Sequence, residues 1–281
     1  MTPRRPLGFA AATGLVLALG GTIAFLTIPV VALFTEVPLG SVPGLLGREE
    51  VRQALEVTAR TSLVANLLIL GFGTPAAYLL ATRRFPGRGL LITLVELPLV
   101  LPPAVAGICL LSAFGAGGLF GDELRSAGVV LPFSEWAVVL AVTFVAAPFY
   151  LRQAIAAFAA VDPMLPGTAR TLGAGPLRAF ARITLPLAAA GLTAGWVLSF
   201  ARGIGEFGAT IIFAGSVRGQ TQTLTLAIYG QLDSDLDVAI AIGILLVVIA
   251  AAVLVAYKLV AWQLSRSEST RLFAPSPSTS R

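Results

Sequence analysis

Arg202 and Glu206 stand four residues apart in RGIGEFGAT, Arg202 to Thr210, inside an apolar stretch that enters through WVLSF and leaves through IIFAG. Ionisable groups at such depth in a hydrophobic run mark pathways, relays or paired structural charges. Acid–base or aspartyl chemistry would need two carboxylates facing each other. Only Glu96 and Glu206 fall within apolar runs. A rise of about 1.5 Å per residue puts Glu96 about 12 Å above Arg88 and Glu206 about 30 Å above Pro186, too far apart in depth for a dyad within one chain. The chain has no histidine, which removes the commonest metal ligand, His-based triads and HExxH zinc sites. The one cysteine, Cys109, forms neither an intrachain disulfide nor a CxxC site. The single lysine, Lys258, follows LVAY rather than a glycine-rich loop, so no GxxxxGK[ST] phosphate cradle is present. No catalytic, cofactor or metal site is expected among these residues, and whatever the chain does with energy, it does not bind ATP through a P-loop of its own.

The elements that must hold this pair are membrane helices. The 281 residues are 57% hydrophobic and 12% charged, with a mean hydropathy of +0.90, against roughly 25% charged residues in soluble proteins. With about 20 apolar residues needed per crossing, six helices are predicted, near 8–34, 57–82, 89–115, 134–157, 186–215 and 237–263. The fold class is therefore an all-α polytopic membrane protein. The first run follows MTPRRP but continues to Phe34, well past the 7–15 residues of a signal-peptide core, and reads as a retained helix. Arg4, Arg5, Arg83, Arg84, Arg88, Arg152, Arg170, Arg178, Arg182, Lys258, Arg266, Arg271 and Arg281 fall on one side. Glu36, Glu49, Glu50, Glu56, Asp122, Glu123, Glu135, Asp233, Asp235 and Asp237 fall on the other. Basic loops stay in the cytoplasm, so both termini are expected there. Residues 1–264 form the membrane domain. The Ser- and Pro-rich residues 265–281 read as a disordered cytoplasmic tail.

Two regions carry the functional expectations. The longest basic loop, about 162–186, reads as two short helices. Asp162-Pro163 opens the first, Gly173 stops it in a left-handed turn, and Gly175-Pro176 starts the second. Leu165, Thr168, Ala169 and Leu172 share a weak apolar face. In the third apolar run, Pro98, Pro102 and Pro103 within LPLVLPPAVAG each remove a backbone donor, so the helix bends or breaks there and is expected to line or flank a pathway, the alternative being a static kink used for packing. A fixed carboxylate repels an anion. Glu206 is therefore expected to pair with Arg202 or to accept backbone N–H groups beside a helix break. Gly203, Gly205 and Gly208 permit close approach, and Thr210 and Ser216 offer neutral donors. The alternative for this segment is packing through small residues with a structural ion pair.

The loop resembles the cytoplasmic signature of ABC importer permeases: EAA, three residues, Gly, nine residues, Ile-x-Leu-Pro. Here Gly167-Thr168-Ala169, then Arg170 and two more residues, precede Gly173, and nine residues later comes Ile183-Thr184-Leu185-Pro186. Gly167 and Thr168 depart from the family's Glu and Ala. The resemblance covers the chain from about the second helix to the end of the sixth. Its most specific segments, LPLVLPPAVAG, GEFGAT with IIFAG, and TQTLTLAIYGQL, look like the molybdate/tungstate permease group. The related sulfate/thiosulfate permeases typically continue the Gly-Glu-aromatic-Gly segment with Ser. The resemblance implies a type I ABC importer permease fold in a bacterial cytoplasmic membrane. It also implies a homodimer surrounded by membrane lipid, two ABC ATPase subunits docked on the loop, an extracytoplasmic molybdate-binding protein, and no role for nucleic acid. Coupling would then fall to Gly167, Thr168, Ala169, Arg170, Gly173, Ile183, Leu185 and Pro186. The translocation path and gate would fall to Pro102, Pro103, Arg202, Gly205, Glu206, Gly208 and Thr210. A secondary transporter using the same buried carboxylates without an ATPase remains the rival reading.

Overall fold

The computed structural model describes the backbone of residues 9–272 and the side chains of residues 13–259. The regular elements among the described residues are all helices, with no strand. The predicted first run is α1, Phe9–Leu33. A short α2, Val42–Leu46, leads into α3, Glu49–Thr82, which starts eight residues before the predicted helix. Those extra turns are polar but helical because Arg52 bridges Glu49 and Glu56, at 2.8 and 3.0 Å.

The third run is broken. α4, Arg88–Val100, and α5, Pro103–Phe114, meet at 119°. Leu101 and Pro102 are extended, with ψ of 134° and 137°, as residues preceding proline prefer, and Pro103 opens α5 where its missing N–H costs nothing. A short α6, Gly121–Ser126, precedes α7, Glu135–Ala159, whose Ser134 cap accepts the Ala137 N–H. The basic loop forms α8, Met164–Thr171, and α9, Pro176–Ala179.

α9 does not end where the fifth run was expected to begin. It passes through one π-helical turn, Phe180–Thr184, into α10, Leu185–Ile204. Pro186 has no N–H for a regular i→i−4 bond, and the widened turn, with the Leu185 N–H on the Phe180 carbonyl, lets the helix run past it. The span therefore starts ten residues earlier than predicted, at Pro176. It then stops at Ile204 instead of reaching 215, and α11, Gly208–Phe213, follows the break. α12, Leu224–Gln231, and α13, Leu236–Leu272, complete the chain. α13 remains helical over residues 265–272, where the sequence suggested a disordered tail, and residues 273–281 of that tail lie outside the described residues.

Five helices are long and apolar enough to cross a membrane. Taken together as one span, the bent pair makes six. Arg88, at the start of α4, bonds the Leu80 carbonyl at the end of α3, whereas Glu135, at the start of α7, pairs at 3.1 Å with Arg60, nearer the beginning of α3. The segment from Arg88 to Glu135, with α4, α5 and α6, therefore carries the chain from one end of α3 toward the other.

The core is the α3–α7–α10 stack, with Tyr150 and Phe158 of α7 fully buried. α7 and α10 approach closely along Gly191, Gly195, Ser199 and Gly203, one residue every turn. A Cβ on Gly191 would lie 2.5 Å from Ala157 Cβ, and one on Gly195 2.8 Å from Gln153 Cβ. Ser199 Oγ donates to the Ala146 carbonyl at 2.8 Å. Without a hydrophobic drive between helices in lipid, such small-residue packing and interhelical hydrogen bonding hold them together.

Candidate translocation gate and coupling loop

The break after α10 is built around Glu206. Its carboxylate is 1% exposed and lies between the Arg202 cation and a backbone N–H donor. Oε1 accepts the Ala209 N–H at 2.8 Å, within the first turn of α11, and the Arg202 guanidinium lies 2.7 Å from Oε2, though not aligned for a hydrogen bond. Both roles expected of Glu206 are therefore filled at once, and neither of its oxygens is presented to an anion. The Glu206 carbonyl accepts the Thr225 hydroxyl at 2.7 Å, and Thr225 also bonds Thr223 at 2.9 Å. Phe207 packs on Tyr229 with ring centroids 5.3 Å apart. GEFGAT and TQTLTLAIYGQL, separate motifs in the sequence, are thus one structure.

The proline break joins it. A Cβ on Gly208 would fall 2.6 Å from Pro103 Cβ, and one on Gly107 would fall 2.9 Å from the Ala209 carbonyl oxygen. α5 and α11 cross with backbones nearly touching, which only glycine permits at these positions. Pro103, Gly208, Glu206 and Arg202 are brought together, with Pro102 in the extended link beside them. Gly205 has only the Ala201 carbonyl near its Cβ position, at 3.8 Å, so steric need does not explain it. Thr210 departs from expectation: it is 0% exposed and its hydroxyl has no partner, so in this conformation it faces no open route for an anion. Glu96, read as buried, is in fact partly exposed and lies 3.9 Å from Arg152.

Beside the break, a half-open apolar cavity of about 450 Å³ runs between α3 and α10, lined by Leu63, Trp196, Phe200 and Ile204. Thr58, Ser62 and Asn66 form a polar stripe on its α3 wall, and Trp196 Nε1 donates to Asn66 Oδ1 at 2.9 Å. Thr58 Oγ1 accepts the Leu224 N–H, tying α12 to α3. The sequence reading missed these residues, although a polar residue at every fourth position of an apolar helix was a visible signal.

At the opposite end of α10 the candidate coupling loop has the expected local form. Asp162 Oδ1 caps the Met164 N–H at 2.8 Å. Gly173, at φ +90°, closes α8 with the Ala174 N–H on the Ala169 carbonyl and the Gly173 N–H on the Arg170 carbonyl, a Schellman stop. Tyr78, Phe158 and Phe180 pack edge-on beneath the loop and fix it to the bundle, with Tyr78 and Phe180 centroids 4.8 Å apart. Its apolar side chains stay uncovered: Met164, Leu165, Leu172 and Leu177 are all exposed, Leu172 at 83%. Gly167, Thr168 and Arg170 are exposed with them, while Ile183 and Leu185 are half-buried in the continuing helix and Pro186 is exposed.

The two ends differ in charge pairing. At the end carrying Glu206, Arg48, Arg52, Arg60, Arg125 and Arg218 each have a carboxylate partner. There the Arg48 guanidinium, hydrogen-bonded to Asp235, holds that carboxyl below its usual range. At the coupling end, among the described residues, Arg83, Arg84, Arg88, Arg170, Arg178 and Arg182 form no ion pair, which leaves a net positive surface.

A family model described as binding-protein-dependent transport system inner membrane component matches residues 73–266, from the second crossing through the last. The chain belongs to that family. It is a multi-pass inner-membrane permease. It is 43% identical over 231 residues to the molybdenum transport system permease protein of Mycobacterium tuberculosis, covering 82% of this permease and 88% of the relative. It is 32% identical over 253 residues to the sulfate transport system permease protein of Salmonella typhimurium, covering 88% and 91%. Its fold matches a chain of a bacterial alginate ABC transporter solved with its alginate-loaded periplasmic protein, with a TM-score of 0.71 at 19% identity, over 88% of this permease and 91% of that chain.

Proposed function

We propose that this permease is the membrane subunit of an ATP-driven importer of a tetrahedral oxyanion, molybdate or tungstate. The observation that carries the substrate is the 43% identity to a molybdenum permease along most of both chains, against 32% to a sulfate permease. The exposed apolar face of α8 and its neighbours supports the docking of a separate ATPase, two copies serving two permease chains. The half-open cavity between α3 and α10 supports a homodimer, because one chain leaves that wall of the path unclosed. The unpaired arginines support a cytoplasmic coupling end with both termini on that side. The gate residues Arg202, Glu206, Gly208 and Pro103 then lie toward the extracytoplasmic face, where a loaded molybdate-binding protein docks. ATP closes the ATPase pair, the coupling loops move with it, and the break at Gly205 to Phe207 opens the path outward. With Glu206 satisfied inside the protein, the gate gives passage, and selective capture belongs to the binding protein.

The test is uptake of labelled molybdate into vesicles carrying the permease, its ATPase and the loaded binding protein. Uptake should require ATP and should resist a large excess of sulfate. Equal displacement by sulfate would assign the permease to that anion instead. Uptake that follows an ion gradient and ignores ATP would overturn the whole reading.

A further inference from the structure

At the coupling end a cavity of about 550 Å³ opens between the last turn of α3, the α3–α4 turn and the start of α8. A second, of about 510 Å³, adjoins it and shares Tyr78, Thr82, Arg83, Pro163 and Pro166. Arg83, Arg84 and Arg88 line the first and Arg83 and Arg170 the second, with no carboxylate in either wall. Arg83, Arg84 and Arg170 have no side-chain partner among the described residues. Arg88 is held in place by donating Nε–H to the Leu80 carbonyl at 2.6 Å, and Gly87 at φ +84° makes the turn that brings it back toward α3. Asp162, next to Pro163 in the chain, already accepts the Met164 N–H. The deeper wall is apolar, with Tyr78, Ala81, Phe158 and Val161, and it includes Thr184, whose buried hydroxyl has no partner.

Guanidinium groups recognise phosphate oxygens through paired N–H donors, and basic pockets at the ends of membrane helices take anionic headgroups. We propose that this cleft binds a tetrahedral oxyanion, supplied by the phosphate of an anionic phospholipid. The apolar deeper wall and the position at the end of a membrane-spanning helix favour a lipid over a free ion. Because Pro163 and Pro166 form part of the wall, an occupied cleft braces the coupling loop against α3. The inference stands whichever anion the permease transports.

The test uses the full chain in neutral detergent, titrated with phosphatidylglycerol, phosphatidylcholine and inorganic phosphate, with bound species counted by native mass spectrometry. Phosphatidylglycerol should bind and phosphatidylcholine should not. Arg83→Gln combined with Arg84→Gln should weaken phosphatidylglycerol about 30-fold, while Arg125→Gln at the other end should leave it unchanged. Both substituted arginines are exposed and unpaired, and a melting curve checks that the double variant is folded. Inorganic phosphate displacing phosphatidylglycerol in wild type but not binding the double variant would keep the oxyanion site and assign it to a free ion. Equal binding of the two lipids by wild type, or unchanged phosphatidylglycerol binding in the double variant, would overturn the proposal.

Discussion

Replacing Glu206 by glutamine separates its charge from its cap. The glutamine carbonyl can still accept the Ala209 N–H, now received by Oε1 at 2.8 Å. The Arg202 guanidinium, 2.7 Å from the other oxygen, would face an amide donor instead of a negative charge. Breaking a buried ion pair from one side costs about 3–5 kcal/mol. Arg202 is 27% exposed, so it can turn toward water and the loss should fall below that range, at about 2 kcal/mol. Glu206→Ala also orphans the α11 cap and should lose about 1 kcal/mol more. Against a total stability of about 5–15 kcal/mol, both variants should fold. Denaturation midpoints in detergent read the stability loss, and ATP-driven uptake per assembled complex reads the gate. An Arg202→Met, Glu206→Leu pair should recover the ion-pair part of the loss, because two apolar side chains need no partner, while still lacking the Ala209 cap, about 1 kcal/mol, and uptake should stay low if the pair sets the gate. Full uptake by Glu206→Gln would refute a gating role. A double variant less stable than the single one would refute the buried-pair account.

Gly195→Leu should abolish the folded chain, since its Cβ alone would sit 2.8 Å from Gln153 Cβ, whereas Gly167→Ala, with open space around it, should raise the midpoint slightly by favouring helix; circular-dichroism melts compare them. Gly208→Ala should destabilise the α5–α11 crossing through contact with Pro103 and depress uptake, while Gly205→Ala should be sterically accepted, so equal effects of the two in stability and uptake assays would argue against the close crossing. Leu172→Glu, on a side chain already 83% exposed, should leave the melting midpoint unchanged and reduce co-purification of the ATPase by tenfold or more; unchanged co-purification would remove the α8 face from the docking surface.

What could be read in the sequence followed from local rules. The prolines at 98, 102 and 103 predicted the broken third run, and Asp162 and Gly173 predicted both ends of α8, because each acts on its own backbone. The start of α3 was misplaced because Arg52, Glu49 and Glu56 are polar to a hydropathy window yet satisfy one another on the helix surface. The start of the fifth helix was misplaced because Pro186 looks like a boundary, and only the π turn upstream shows how the helix continues through it. Glu206 beside a break was foreseen, but Thr225 on its carbonyl was not, since that bond depends on how α12 folds back. Gly191, Gly195, Ser199 and Gly203 stand at intervals of four in plain view. Their meaning depends on the matching face of α7, which no local pattern identifies.

The stretch from Pro176 to Ile204 is one uninterrupted span of 29 residues. At about 1.5 Å per residue it is a rod about 43 Å long, with the coupling loop at one tip and the Arg202–Glu206 break at the other. Its glycine face is seated tightly on α7, so in the proposed coupling the two would swing as one lever. A tilt of about 5° at the loop would sweep the far tip through about 4 Å, close to the width of a small ion. In that proposal, mechanical work done at the loop would reach the opposite tip without passing through the intervening side chains one at a time. On the proposed gating role, the joint that gives way is the short link from Gly205 to Phe207, where the helix ends.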